Sequence, residues 1–156
     1  PAGAISFVER EAAEYDEAAV RENKARIAAA EAEAMESRLS NWPVQLKLVP
    51  PVSPVFNGVD LLIAADCTAY AFAGFHERFI AGHTVIIACP KLDAVDYSEK
   101  LHQIFKLNNI RSITVTRMQV PCCGGLVRMV ETALERSGKD IPLEVVTISN
   151  TGKILV

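Results

Sequence analysis

The feature that most constrains this chain is a set of short apolar runs spaced by helix-length segments. Leu61 to Ala65, Thr84 to Ala88, Ser112 to Met118 and Leu143 to Ile148 are strand-length and dominated by apolar or β-branched residues. Between them, Thr68 to Ile80, Tyr97 to Leu107 and Leu126 to Arg136 have the length and composition of helices. A strand that is apolar throughout is covered on both faces, as strands in parallel sheets are. The alternation therefore predicts an α/β domain: a small, doubly wound, mainly parallel sheet with helices on both faces, joined by right-handed crossovers. Asp96 is placed to cap the second helix, and Asn108-Asn109 to stop it; Gly82 and Gly138 end the other two. Asn150-Thr151-Gly152 turns the chain, and Lys153 to Val156 returns as a short strand.

Upstream the composition changes. Asp16 caps a helix that runs to about Glu36, because Ala, Glu, Lys and Arg dominate there. Its large apolar residues are few: Val20, Ile27, Met35 and Leu39. Such a helix is solvated and links two parts, or serves as the arm of a homo-oligomer. Trp42-Pro43 then opens Val44 to Val49, which alternates as a half-buried strand does. Pro50, Pro51 and Pro54 enforce an extended connection. The expected organisation is residues 1–15, a linker helix over 16–39 and the α/β domain over 40–156.

Half of the 156 residues are hydrophobic, enough for a sizeable core, and the net charge is −3. With no basic cluster, nucleic acid and anionic membrane surfaces are not expected partners. The apolar runs are too short to span a bilayer. Four cysteines, two of them adjacent, do not resemble a secreted disulfide framework. A cytoplasmic chain with reduced thiols is expected, and metal ligation or redox chemistry becomes the competing use of cysteine.

The cysteines fall into register with the strands. Cys67 follows the first apolar run, Cys89 the second, and Cys122 and Cys123 the third, where Gly124-Gly125 opens the next helix. In a parallel sheet these strand ends share one edge, the edge at which open α/β folds bind ligands. The two glycines allow close backbone approach, and the helix start presents unpaired N–H groups to a thiolate or another anion. Four thiolates are the ligand set of a zinc ion or a [4Fe–4S] cluster. The competing reading is four small apolar residues buried near loop starts. Adjacent cysteines in extended backbone point apart, so clustering is expected more firmly than four-fold ligation. Asp66, Lys91, Asp93 and Arg117 share the edge and read as caps, loop charges or surface ion pairs. His76 and Arg78 read as helix-surface residues, and His83 and His102 have less claim on a site. No Ser-His-Asp arrangement, G-x-G-x-x-G or Walker phosphate loop is present.

Two resemblances attach to these residues. Pro1-Ala2-Gly3-Ala4-Ile5 resembles the stretch after the last ligand cysteine of a bacterial-type ferredoxin, which implies that residues 1–15 are the remnant of such a module. The blocks Asn41 to Leu46, Asp60 to Cys67, Cys89 to Asp93 and Val120 to Leu126 are similar to an anaerobe family of iron–sulfur-binding ferredoxin-like proteins. In that family a ferredoxin module precedes the α/β domain. The resemblance implies a cytoplasmic electron-transfer setting and a redox partner protein. A further likeness, to the cysteine-rich CCG domain of heterodisulfide-reductase-type subunits, rests on Cys89 and Cys122-Cys123-Gly124; that motif's downstream C-x-x-C is missing here.

The functional expectation is an iron–sulfur or metal-associated redox protein. Its site is Cys67, Cys89, Cys122 and Cys123, with Gly124 and Gly125 shaping the turn, and its cofactor an iron–sulfur cluster or zinc. The alternatives are a noncatalytic interaction domain with structural cysteines and a thiol-dependent enzyme using Cys122 or Cys123.

Overall fold

The computed structural model describes residues 16–33 and 36–155. The expected ferredoxin remnant and Met35 lie outside the described residues. The chain divides into two units between Glu36 and Ser37. The first contains helix α1 (Glu17–Glu33), whose first turn is capped by Asp16 Oδ1, accepting from the Ala18 and Ala19 N–H groups at 2.9 and 3.0 Å. Its apolar residues gather on no single face, and Ile27 is 48% exposed.

The second unit is the α/β domain. Its elements are β1 (Val59–Ala65), α2 (Thr68–Ala71), β2 (His83–Ala88), α3 (Ser98–Leu107), β3 (Ile110–Met118), α4 (Gly124–Ser137), β4 (Leu143–Ile148) and β5 (Ile154–Leu155). The sheet order is β2-β1-β3-β4-β5, with the first four strands parallel and β5 antiparallel to β4. This is the doubly wound sheet that the alternation of runs predicts. Leu61, Ile63, Ile113 and Val115 share one face, against which α3 and α4 pack with Leu101, Ile104, Phe105, Leu126 and Val130, all buried. Leu62, Ala64, Val85 and Thr116 share the other face, beneath the segment that joins β1 to β2. Asp96 Oδ1 accepts from the Ser98 N–H at 2.8 Å, and Gly138 closes α4 at φ 68°, the left-handed conformation that glycine adopts without strain. Among the described residues no helix is long and apolar enough to cross a membrane.

Two expectations are corrected. The run Val44 to Val49 is not a strand. It makes a single parallel bridge, Gln45 to Ile87, and then turns, with Leu48 N–H donating to the Gln45 carbonyl at 2.8 Å. The buried residues are Leu46 and Val49, three apart as a turn requires, while Leu48 is 67% exposed. The segment still covers the free edge of β2: Asn41 bonds both the N–H and the carbonyl of Val85.

The second correction concerns Thr68 to Ile80, which is not one helix. α2 stops at Ala71, Phe72 is extended, and a π-helical turn follows over His76–Ile80. In a continuous helix the Phe75 N–H would bond the Ala71 carbonyl. It bonds the Phe72 carbonyl instead, at 3.1 Å, and a Cβ on Gly152, in the turn before β5, would run into the Ala71 carbonyl oxygen. Phe79 then packs edge-on against Phe72 and at a tilt against Phe75, with centroids 5.6 and 5.2 Å away.

Candidate functional site

The order β2-β1-β3 makes the chain leave β1 toward one side of the sheet and β3 toward the other. Between those two strand ends the loops diverge and leave a crevice, the switch point at which open α/β sheets take ligands. Cys67 follows β1 there, and Cys122 and Cys123 follow β3. Thr68 ties the two sides together. Its buried hydroxyl donates to the Ala65 carbonyl at 2.7 Å and lies 3.2 Å from the Thr116 hydroxyl on β3.

Pro121–Cys123 form a 3₁₀ turn that runs directly into α4. Consecutive residues on such a turn point in different directions: Cys122 is exposed and Cys123 buried. Burial pushes the Cys123 thiol up, and charge on the neighbouring Cys122 and Cys67 sulfurs pushes the same way, against a stabilising Met118 backbone N–H. The Cys67 and Cys122 sulfurs are thus near enough for their charge to act on Cys123.

Cys89 ends β2 on the adjacent strand. Its N–H donates to Asp93 Oδ2 at 3.0 Å, and its sulfur accepts from the Leu92 N–H at 3.4 Å. Gly125 brings this loop against the start of α4, since a Cβ there would stand only 3.3 Å from Pro90 Cβ. A Cβ on Gly124 would meet the guanidinium groups of Arg128 and Arg117, at 3.5 and 3.9 Å. Arg117 is held at the turn by the Met118 and Val120 carbonyls. Neither arginine is in an ion pair among the described residues. Two guanidiniums and a helix N-terminus make this corner positive, which favours thiolates and anionic assemblies of them.

Cys67 and Cys122 are exposed, Cys89 is half-buried and Cys123 is buried, so the four are not uniformly core residues. Among the described residues no three His, Cys, Asp or Glu side chains are set to hold one metal ion. An iron–sulfur cluster asks something different of the same donors, since each thiolate binds its own iron. Cys67, Cys89, Cys122 and Cys123 are the thiolates that would hold such a group.

Of the other residues weighed at this edge, Asp93 is a strut, accepting from both the Cys89 N–H and the Tyr97 hydroxyl, the latter at 2.9 Å. The Tyr97 hydroxyl is pushed up to about 12 by burial, then by the Asp93 hydrogen bond and the charges of Asp93 and Asp66. Asp66 is the residue that sequence reasoning passed over. Read as a cap or loop charge, it caps nothing: Oδ1 is buried without a hydrogen-bond partner, and burial, then Asp93, pushes its carboxyl up. Its position between an apolar strand and Cys67 was the available signal. His76 Nδ1 accepts from the Arg38 N–H and His83 Nδ1 lies 3.1 Å from the Ala81 carbonyl, while His102, on α3, has its Nδ1 buried without a hydrogen-bond partner.

Residues 53–156 match the Rossmann-like domain family. The chain belongs to that family. A protein of Archaeoglobus fulgidus, described as uncharacterized, is 34% identical over 117 residues, covering 74% of this chain and 82% of its own length. No solved structure matches. Membership in the Rossmann-like family agrees with ligand binding at the strand carboxyl ends; the choice of ligand rests on the residues found there.

Proposed function

We propose that the carboxyl edge of this Rossmann-like domain is a thiol-based redox site, an iron–sulfur centre in electron transfer, held by Cys67, Cys122 and Cys123 with Cys89 as the fourth thiol. The observation that carries this reading is the placement of Cys67 directly after β1 and of Cys122 and Cys123 after β3, on the two sides of the switch point. A bound cluster would supply reversible one-electron transfer. The chain's own contributions are clear in outline. Gly124 and Gly125 admit close approach, Arg117 and Arg128 offset negative charge, and exposed Cys67 and Cys122 leave the edge open to a redox partner protein. Such thiols stay reduced in a cytoplasmic setting. The likeness of the sequence blocks to ferredoxin-like proteins of anaerobes supports the same reading.

The test is anaerobic reconstitution of the full chain with iron and sulfide, followed by visible absorption and bound-iron analysis. The native chain should develop cluster absorption, and Cys67→Ala and Cys122→Ala should lose it. Absorption unchanged by either substitution would refute the assignment. A second reading, thiol–disulfide exchange, draws on exposed Cys122 beside Cys123 at a positive helix start. It predicts no bound iron and a dithiol titrating with two electrons.

A further inference from the structure

The loop after β2 holds its cysteine more tightly than a connection to α3 requires. Asp93 engages both backbone groups of Cys89. Its N–H donates to the Cys89 carbonyl at 2.9 Å, and its Oδ2 accepts from the Cys89 N–H at 3.0 Å. The Tyr97 hydroxyl donates to the same oxygen at 2.9 Å, from a side chain that is 2% exposed. Within the turn so closed, the Leu92 N–H donates to the Cys89 sulfur at 3.4 Å.

Apolar packing does not account for this turn, since the Leu92 side chain is 81% exposed. Ala94, directly after Asp93, stands at φ 50°, in the left-handed region that disfavours a Cβ. Such a conformation persists where surrounding bonds over-determine it, and the bonds at hand are those of Asp93 and Tyr97. An N–H aimed at a sulfur stabilises negative charge there. At a redox centre that favours the more negative, reduced state and so raises the reduction potential.

We propose that Asp93, backed by Tyr97, is a positioning residue for Cys89: it closes the turn that points the Leu92 N–H at the sulfur, and through that bond raises the reduction potential of the redox site. This role presupposes Cys89 as the fourth thiol of the function proposed above. The charge of Asp93 acts in the opposite sense, because a nearby carboxylate disfavours the reduced state. Asparagine separates the two effects, since it keeps an acceptor oxygen for Cys89 and Tyr97 and carries no charge.

The full native chain is compared with Asp93→Asn and Asp93→Ala. Without iron, NMR hydrogen exchange at the Leu92 amide should quicken roughly fivefold in Asp93→Ala, the worth of one hydrogen bond, and stay within about twofold of native in Asp93→Asn. The Gly58 amide, at the opposite edge, should respond to neither. After anaerobic loading with iron and sulfide, Asp93→Ala should have a lower reduction potential than Asp93→Asn. Equal Leu92 exchange in the two variants, or a potential in Asp93→Ala at or above that of Asp93→Asn, would overturn the proposal. Should Asp93→Ala fail to fold, Tyr97→Phe keeps the buried ring and should still quicken Leu92 exchange; an unchanged rate would count against the proposal equally. A native chain that binds no iron removes the redox reading and with it the tuning of potential, while exchange in the unloaded chain decides separately whether Asp93 positions Cys89.

Discussion

β1 carries an aspartate near each end, and the two are treated in opposite ways. Asp60, near the amino end, accepts from the Arg111 guanidinium at 2.6 Å and the Ser112 hydroxyl at 2.7 Å. These bonds, Arg111 first, hold its carboxyl below the usual range. Asp66, at the carboxyl end, has a buried oxygen with no partner, and burial and Asp93 push it above that range. The surroundings repeat the contrast. At the amino edge Asn108 is buried, and its side-chain amide donates to the Pro51 and Ile104 carbonyls, both at 2.8 Å. Lys139 Nζ covers the Asn108 carbonyl at 2.6 Å. At the carboxyl edge stand exposed thiols, a cavity and two guanidiniums outside any described ion pair. The amino edge is closed by hydrogen bonds, and the carboxyl edge leaves thiols and one carboxylate oxygen unpaired.

The largest break to this contrast would come at Asn108. Asn108→Ala leaves buried carbonyls without donors and should cost about 3 kcal/mol in urea unfolding, at one to three per stranded group. A loss near zero would mean that the amino edge is no more tightly finished than the other.

Gly152 sharpens the contrast, because it is the place where the carboxyl edge does have a strict structural demand. Its φ is 76°, and a Cβ would run into the Ala71 carbonyl oxygen. Gly152→Ala should cost about 2 kcal/mol from backbone strain and the forced shift. Hydrogen exchange should quicken at the Phe72 and Phe75 amides and stay unchanged at Gly58, whose N–H bonds the Asn109 carbonyl at the amino edge. Equal loosening at both edges would show that they are not separable.

The smallest effects have opposite signs. Asp60→Asn should cost less than about 1 kcal/mol at neutral pH, as partly exposed ion pairs do. Because Asp60 is held below its unfolded value, that contribution is present above the unfolded value and lost as pH falls through the folded one. Asp66 is raised, so the folded chain holds its proton more tightly and gains stability as pH falls through the folded value. Asp66→Asn should therefore leave stability unchanged or raised at neutral pH, and the difference should shrink in acid. Urea unfolding of both variants across this range checks the signs; the same sign for both would break the comparison.

The sheet was legible because its strands are apolar runs, and burial on both faces leaves little other use for such runs. That placed Cys67, Cys89, Cys122 and Cys123 at strand ends, since each directly follows a run. The rest depended on contacts distant in sequence. The break after Ala71 lies against Gly152, far along the chain. Leu46 and Val49 bury in a turn because β2 needs a short cover along its edge, and local alternation imitates a strand. The split between exposed Cys122 and buried Cys123 is a local detail of the 3₁₀ turn. Asp66 was missed because a loop aspartate after a strand is ordinarily solvated, and its burial follows from the packing around it.

The central claim is that the thiols of the carboxyl edge act as one redox site. Alkylation of the full chain, with and without prior anaerobic loading with iron and sulfide, tests it residue by residue through mass spectrometry. Without loading, Cys67 and Cys122 should be modified first, because they are exposed, and Cys123 last. After loading, Cys67, Cys89, Cys122 and Cys123 should become protected together, with iron bound. An unchanged modification pattern, or protection of a single cysteine, would contradict the account.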